Sequence, residues 1–405
     1  MRRLLRLAAY RRLLAAYTLN ELAWGLGTLA LSFLVYRRTG SAVGAAGFYL
    51  SAQFVPALSS PALVARVDHL PPRVILPVLY GAESLAYLAL AIVAAHFSLI
   101  AVLLLAFFDG TVALTARPLV RATTAAVTAP HGLLREGNAI NNLCFSIAFM
   151  LGPALGGLVV AAGGVAVGLY IDAAVFVVIA LTLASGTALP GARSPDHDRS
   201  ARLRAAWAHT RERPMIRRLL GLQAVAILFF TISIPVEVVY AQHALKAGAG
   251  GYGALLAAWG AGAVVGSAAY ARWRGMPART LITVGAGALG VGLAGMALSP
   301  SLIPAVVAAA VAGVGNGVEA VAARTALQEL VEERWMALVL SFSESLNEAA
   351  PGIGIVLGGA IAALTDSRVA LAVGAGGAVM VSIAAWAMLS PQRGYRPATA
   401  EPPRL

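Results

Sequence analysis

Charged and turn-forming clusters cut this chain into twelve apolar runs, each long enough to cross a bilayer. A hydrocarbon core about 30 Å thick takes roughly twenty residues of helix. The runs fall near 13–36, 42–65, 74–95, 98–122, 138–162 and 165–188, then near 216–241, 251–271, 279–298, 302–326, 336–363 and 368–389. Hydrophobic residues make up 59% of the 405 and charged residues only 12%, half the share of about 25% found in soluble domains. Helices satisfy every backbone polar group internally, so runs of this length in lipid are helical. The expected fold class is all-α and integral to the membrane, with the bilayer itself as a partner.

The first run follows a basic N-terminus, Met1 to Arg12, of the kind that opens a signal peptide. The apolar stretch behind it is too long for a signal and has no small-residue cleavage site, so it is expected to remain as the first span. With that terminus inside, 26 of the 30 Lys and Arg residues fall on the cytoplasmic side, Arg117, Arg121 and Arg324 among them. The four outside are Arg37, Arg38, Lys246 and Arg368. The positive-inside rule then places both termini in the cytoplasm. The same asymmetry accounts for the net charge of +12, so no nucleic-acid partner is expected. Cys144 is the single cysteine, which rules out an internal disulfide or a cysteine-based metal cluster.

The halves of the chain repeat. Arg11-Arg12-Leu13-Leu14 returns as Arg217-Arg218-Leu219-Leu220, and Arg73 as Arg279, both 206 residues later. Gly47-Phe48-Tyr49 returns as Gly251-Tyr252-Gly253 after 204, and Gly156-Gly157 as Gly358-Gly359 after 202. Parallel repeats of this kind occur among secondary transporters. The expected organisation is a six-helix bundle over 1–190, a cytoplasmic linker with a surface helix over 191–214, a second six-helix bundle over 215–390, and a proline-rich disordered tail over 391–405.

Ionisable groups inside a span cost roughly 2.5–3.5 kcal/mol on insertion scales, so each one is a functional candidate. Asp109 lies deepest in the first half, twelve residues into the fourth run. Glu21, beside Asn20 and one turn before Trp24, forms a polar patch in the first. Glu344 and Glu348 share a face of the eleventh, four residues apart, with Asn347 beside them. Asp109, Glu21 and Glu348 are the candidates for proton coupling. Their competing reading is structural, as a hydrogen bond between helices or an ion pair with a basic loop residue. Glu319, Arg324 and Glu344 could form an inner gate latch or a static buried network. Glu237 reads as part of an outer gate, and Asn138, after Gly137, as a helix N-cap. Asn20, Trp24, Phe107, Phe108 and Asn142 are candidates to line a substrate cavity.

Gly313-Val314-Gly315-Asn316-Gly317 suggests a nucleotide loop, but it lies inside a span without a preceding strand or a lysine. No nucleophile–base pair, metal-binding histidine pair or ATP-binding motif is visible, so no enzyme, cofactor or metal is expected.

Four stretches carry a resemblance to the major facilitator superfamily over essentially the whole chain. They are Leu34-Val35-Tyr36 with Thr39-Gly40-Ser41, Gly152-Pro153-Ala154-Leu155-Gly156-Gly157, Asp172-Ala173-Ala174-Val175-Phe176, and the linker from Trp207 to Leu220. The chain is most similar to the bacterial twelve-helix drug-exporter-like branch that includes the macrolide-efflux type. The resemblance implies two pseudo-symmetric six-helix bundles in a bacterial cytoplasmic (inner) membrane, working by alternating access. It assigns Gly152, Pro153, Gly156 and Gly157 to an antiporter-type motif, and by placing the third and sixth helices on the outside of the bundle it implies that Glu83 and Asp172 are structural. It also points to Asp68 and Arg73, in the loop after the second span, as gate residues, although the loop lacks the family's Asp-Arg pair and its glycine. The arginine that many proton-coupled exporters carry in the fourth span is missing from Ala106-Phe107-Phe108-Asp109-Gly110, which excludes coupling by that residue.

The leading expectation is a monomeric, proton-coupled exporter of amphipathic small organic compounds. Alternatives are a proton-coupled or facilitative importer of a small metabolite and a non-transporting membrane receptor or assembly protein.

Overall fold

The computed structural model describes residues 2–39, 47–185, 189–190 and 199–389. The Gly40-Ser41 part of the first motif, the start of the linker (191–198) and the tail from 390 onward lie outside the described residues. Eleven stretches among the described residues are long and apolar enough to cross a membrane, by length and composition. One belongs to a 51-residue helix, Leu134–Ala184, that breaks at Gly164, where φ is 82° and ψ is 172°. That left-handed φ suits glycine, which has no Cβ to clash. The arms on either side, 134–163 and 165–184, are separate spans, and the total is the expected twelve.

We number the spans α1 (Ala8–Thr39), α2 (Gly47–Val67), α3 (Pro72–Ala95), α4 (Leu99–Thr128), α5 (134–163) and α6 (165–184). The second set is α7 (Pro214–Val239), α8 (Gly248–Trp273), α9 (Ala278–Leu298), α10 (Leu302–Leu330), α11 (Met336–Leu364) and α12 (Ser367–Met388). A linker helix, Arg199–Glu212, precedes α7. Two expectations are corrected here. Arg117 and Arg121, counted with the cytoplasmic charge, stand inside α4, which continues to Thr128. Asn138 is not an N-cap but an interior residue of α5, which already starts at Leu134.

The chain divides into two compact units. One comprises the residues up to Trp207 together with Glu333–Ile353, and the other comprises Ala208–Glu332 with the residues from Gly354 onward. The first half of α11 therefore packs with α1–α6. Its two glutamates pair with arginines of α4, as described below. Within the first unit α1 packs on the α5–α6 helix, α2 on α4, and α3 on α4 and α6. Within the second, α8 packs on α10 and α9 on α10 and α12.

The repeat extends to hydrogen bonds. Arg11 donates to the carbonyl of Leu5 and Arg217 to that of Arg211, each six residues back and each at 3.0 Å. Arg12 donates to the carbonyl of Ser185 just after α6, and Arg218 to that of Met388 at the end of α12. In each half a basic side chain at the start of the first span thus caps the unsatisfied carbonyls at the end of the sixth.

Large apolar side chains left exposed, such as Leu85, Ile100, Leu158, Ile303 and Val356, lie along the spans. In water such surface is a liability, whereas against lipid it is solvated.

Candidate functional site

In the first unit a pocket opens among α1, α2, α3, α4 and α11. Residues 106, 109, 110, 113, 114 and 117 of α4 line it, which is one helical face at three-to-four-residue spacing. Trp24 and Thr28 of α1, Gln53 of α2, Tyr87 of α3 and Glu348 of α11 complete it. Phe107 and Phe108, expected in the lining, fall off that face and are 38% and 48% exposed. Asn20 and Asn142 are buried and are not among the lining residues.

The centre of the pocket is an ion pair that sequence reasoning missed. Arg117 Nη1 donates to Glu348 Oε1 at 2.8 Å, with both side chains mostly buried. One turn further along each helix, Arg121 pairs with Glu344. The two pairs form a ladder in which residue numbers rise on α4 as they fall on α11. The guanidinium of Arg117 also lies over the Trp24 ring, 5.4 Å from its centroid, within cation–π range. Glu21, buried on α1, is an electrostatic neighbour of the same arginine. A signal for the ladder existed in the sequence, since two arginines four apart on one span match two glutamates four apart on another.

Three more carboxyl groups lie beside this ladder. Asp109 has Oδ1 shut off from solvent without a hydrogen-bond partner. Glu83 is 1% exposed with Oε1 unpartnered, and Asp172 is 0% exposed with neither oxygen partnered.

The gate candidates separate. Asp68 pairs with Arg202 of the linker helix at 2.5 Å, and both side chains are buried. Burial pushes the Asp68 carboxyl up to about 6, against the opposing pull of Arg202. Arg73, by contrast, is exposed in the first turn of α3. The partner of Glu344 is Arg121. Glu319 and Arg324 remain electrostatic neighbours on α10. Glu237 on α7 accepts a hydrogen bond from Ser233 at 3.3 Å.

The glycine motif divides by face. A Cβ on Gly152 would stand 3.3 Å from Gly25 Cα, and one on Gly156 would stand 3.0 Å from Leu26 Cα. Gly157 has open space beside it. In the second unit Gly354 and Gly358 abut the α7 backbone at Leu228 and Ile232, while Gly359 is open. The side chain of Pro153 lies outside the described residues.

Residues 5–396 match the family model MFS_3, described as transmembrane secretion effector. The chain belongs to this family, within the major facilitator superfamily. No curated protein matches its sequence. Solved structures share its fold at low identity. A bacterial homologue of the iron transporter ferroportin in an outward-facing state has a TM-score of 0.80 at 15% identity, covering 95% of this chain and 100% of that one. The E. coli fucose:proton symporter has 0.74 at 13%, covering 93% and 97%. A human organic anion transporter has 0.72 at 16%, covering 93% and 99%. The major facilitator family and fold make this a membrane transporter rather than an enzyme.

Proposed function

We propose that this transporter exports amphipathic organic compounds in exchange for protons, with Asp109 in the coupling path. The observation that carries the reading is the pocket itself. It sets an indole ring, an amide and a carboxyl with an unpartnered oxygen beside the Arg117–Glu348 pair. An apolar body can pack on Trp24 while a polar group competes with a proton for Asp109. The description of the family as a secretion effector supports outward transport. So does the glycine motif of α5, which resembles that of antiporters and holds α1 at backbone contact. The resemblance to the macrolide-efflux branch suggests the substrate class. Without Arg117 and Arg121 the charge asymmetry is still 24 to 4 and supports cytoplasmic termini, and a bacterial inner membrane with a monomeric working unit completes the reading.

One proton moving down 100 mV supplies about 2.3 kcal/mol, enough to sustain roughly a 50-fold gradient of a neutral solute. The test is a toxic-compound susceptibility panel in a host lacking its main efflux pumps, with Asp109→Asn compared at equal membrane levels. Resistance that vanishes in the variant supports the reading. Resistance that persists moves the coupling role to Glu21 or Glu348, and no resistance to any compound rejects drug export.

A further inference from the structure

Gln53 of α2 lines the pocket, and the coupling of substrate to protons gives it no task. Its backbone belongs to a widened turn, Leu50–Phe54, wound as a π-helix, in which the N–H of Val55 reaches back five residues to the carbonyl of Leu50. Turns of this width are rare inside α-helices and recur at functional sites. Neighbouring helices pin this one. Gly110 of α4 leaves room for it, since a Cβ there would overlap the carbonyl of Ala52. Beyond the turn, Ser345 of α11 donates to the carbonyl of Ala57, and Ser60 donates to that of Leu114 on α4, each at 2.6 Å. The backbone beneath Gln53 is thus held by α4 and α11, while its amide makes no hydrogen bond to any described residue.

The same contact places the amide beside the acid. Gln53 follows Ala52 and Asp109 precedes Gly110, so the two pocket-lining side chains flank one point where α2 touches α4. Arg117 and Glu348 are taken up with each other at 2.8 Å. Gln53 therefore presents the pocket with a neutral donor and a neutral acceptor, both open. A side-chain amide carries N–H and C=O side by side, and its full complement is another amide, which returns both bonds. An ester or ketone returns one bond only, and an anionic group meets the carboxyl groups of Asp109 and Glu348.

We propose that Gln53 is a specificity-determining residue of the pocket and selects substrates that carry a neutral carboxamide or lactam on an apolar body. The inference rests on the pocket being the substrate site, as read above, but not on the direction of transport or on protons. Trp24 offers the apolar body a surface, and the pinned turn holds Gln53 where the amide of the substrate arrives. Discrimination comes from the analogue that leaves one hydrogen-bonding group of Gln53 unmatched.

The test is equilibrium binding of two fluorescent probes, pyrenebutanamide and methyl pyrenebutanoate, to the purified full-length protein in nanodiscs, with uptake by empty nanodiscs subtracted. The probes share one apolar body and are both neutral. The wild type should prefer the amide by about tenfold, the yield of one further net hydrogen bond. Gln53→Leu should abolish that preference and leave the affinity for the ester unchanged, a pattern that a general loss of packing does not produce. Equal affinity of the wild type for the two probes, or binding of neither, overturns the proposal. If Gln53→Leu does not fold, Gln53→Glu keeps the shape and removes the amide, and an undiminished preference in that variant overturns the proposal as well. The export reading fails separately. A Gln53-dependent amide preference in a protein that confers no resistance keeps the specificity residue and rejects export. Resistance that needs Asp109 in a protein indifferent to the amide rejects the specificity residue and keeps export.

Discussion

Arg117 and Glu348 meet at 2.8 Å across 231 residues of chain, and Arg121 and Glu344 repeat the contact one turn on. Each helix presents its two charges four residues apart, so a single register of α4 against α11 satisfies both pairs. Slippage by one turn would leave one charge of each sign buried and unpaired.

Removing one member of such a buried pair leaves the other uncompensated, at a cost of about 3–5 kcal/mol. We therefore expect Arg117→Ala and Glu348→Ala each to lower the unfolding free energy in detergent by about that much. The double variant should be no worse than the more severe single one. Unfolding curves of the four proteins form a double-mutant cycle, and strictly additive losses would refute the pairing.

The carboxyl of Asp68 sits at about 6 in the folded chain against an ordinary value of 3.8, because burial outweighs the attraction of Arg202. A folded value above the unfolded one means that the native state binds the proton more tightly. Its stabilising contribution is complete below about pH 4 and is lost as pH rises through about 6, on the order of 3 kcal/mol. Stability measured from pH 4 to pH 7 should fall more steeply for the wild type than for Asp68→Asn. Hydrogen exchange in the helix Arg199–Glu212 should share that pH step, since Arg202 anchors the helix to Asp68. Parallel profiles for the two proteins would remove Asp68 as the cause.

The two faces of the glycine motif make a paired prediction. Gly156→Val forces α5 away from α1, because a Cβ there would already sit 3.0 Å from Leu26 Cα. Gly157→Val points into open space. We expect the first variant to lose monodispersity and transport, and the second to retain both. Gly358→Val and Gly359→Val should repeat the contrast in the second unit. Equal behaviour within either pair would count against close helix contact as the role of the motif.

Pro61 has no N–H to give the carbonyl of Ala57 four residues back, and Ser345 of α11 donates to that carbonyl at 2.6 Å. Ser345→Ala should cost about 1 kcal/mol. In a Pro61→Ala background the helix supplies its own donor, and the same serine change should cost much less. Thermal melts of the single and double variants measure this, and a serine cost that ignores residue 61 would sink the explanation.

Much of the architecture was legible in the sequence because bilayer thickness imposes a length on every span and strict repeat distances survive in the chain. The arginine pairs at 11–12 and 217–218 were read as a repeat, and their matching carbonyl partners show that the spacing has a structural cause. The sequence was a poorer guide to the site. Phe107 and Phe108 flank Asp109 in the chain, yet helical rotation turns them off the pocket face. Arg117 was counted only as cytoplasmic charge, because the glutamate that pairs with it lies on another helix.

By itself, then, the sequence determined the membrane class, twelve helical spans, the internal duplication and the small-residue positions where helices touch. These follow from periodicity and from local transfer free energies, which each segment carries with it. Tertiary structure alone decided which charges are paired. Arg117 acquires its counter-ion from a helix more than two hundred residues away, and Asp68 acquires Arg202 from the linker. Pairing depends on the separation of side chains in space, and no local pattern in the chain encodes that distance.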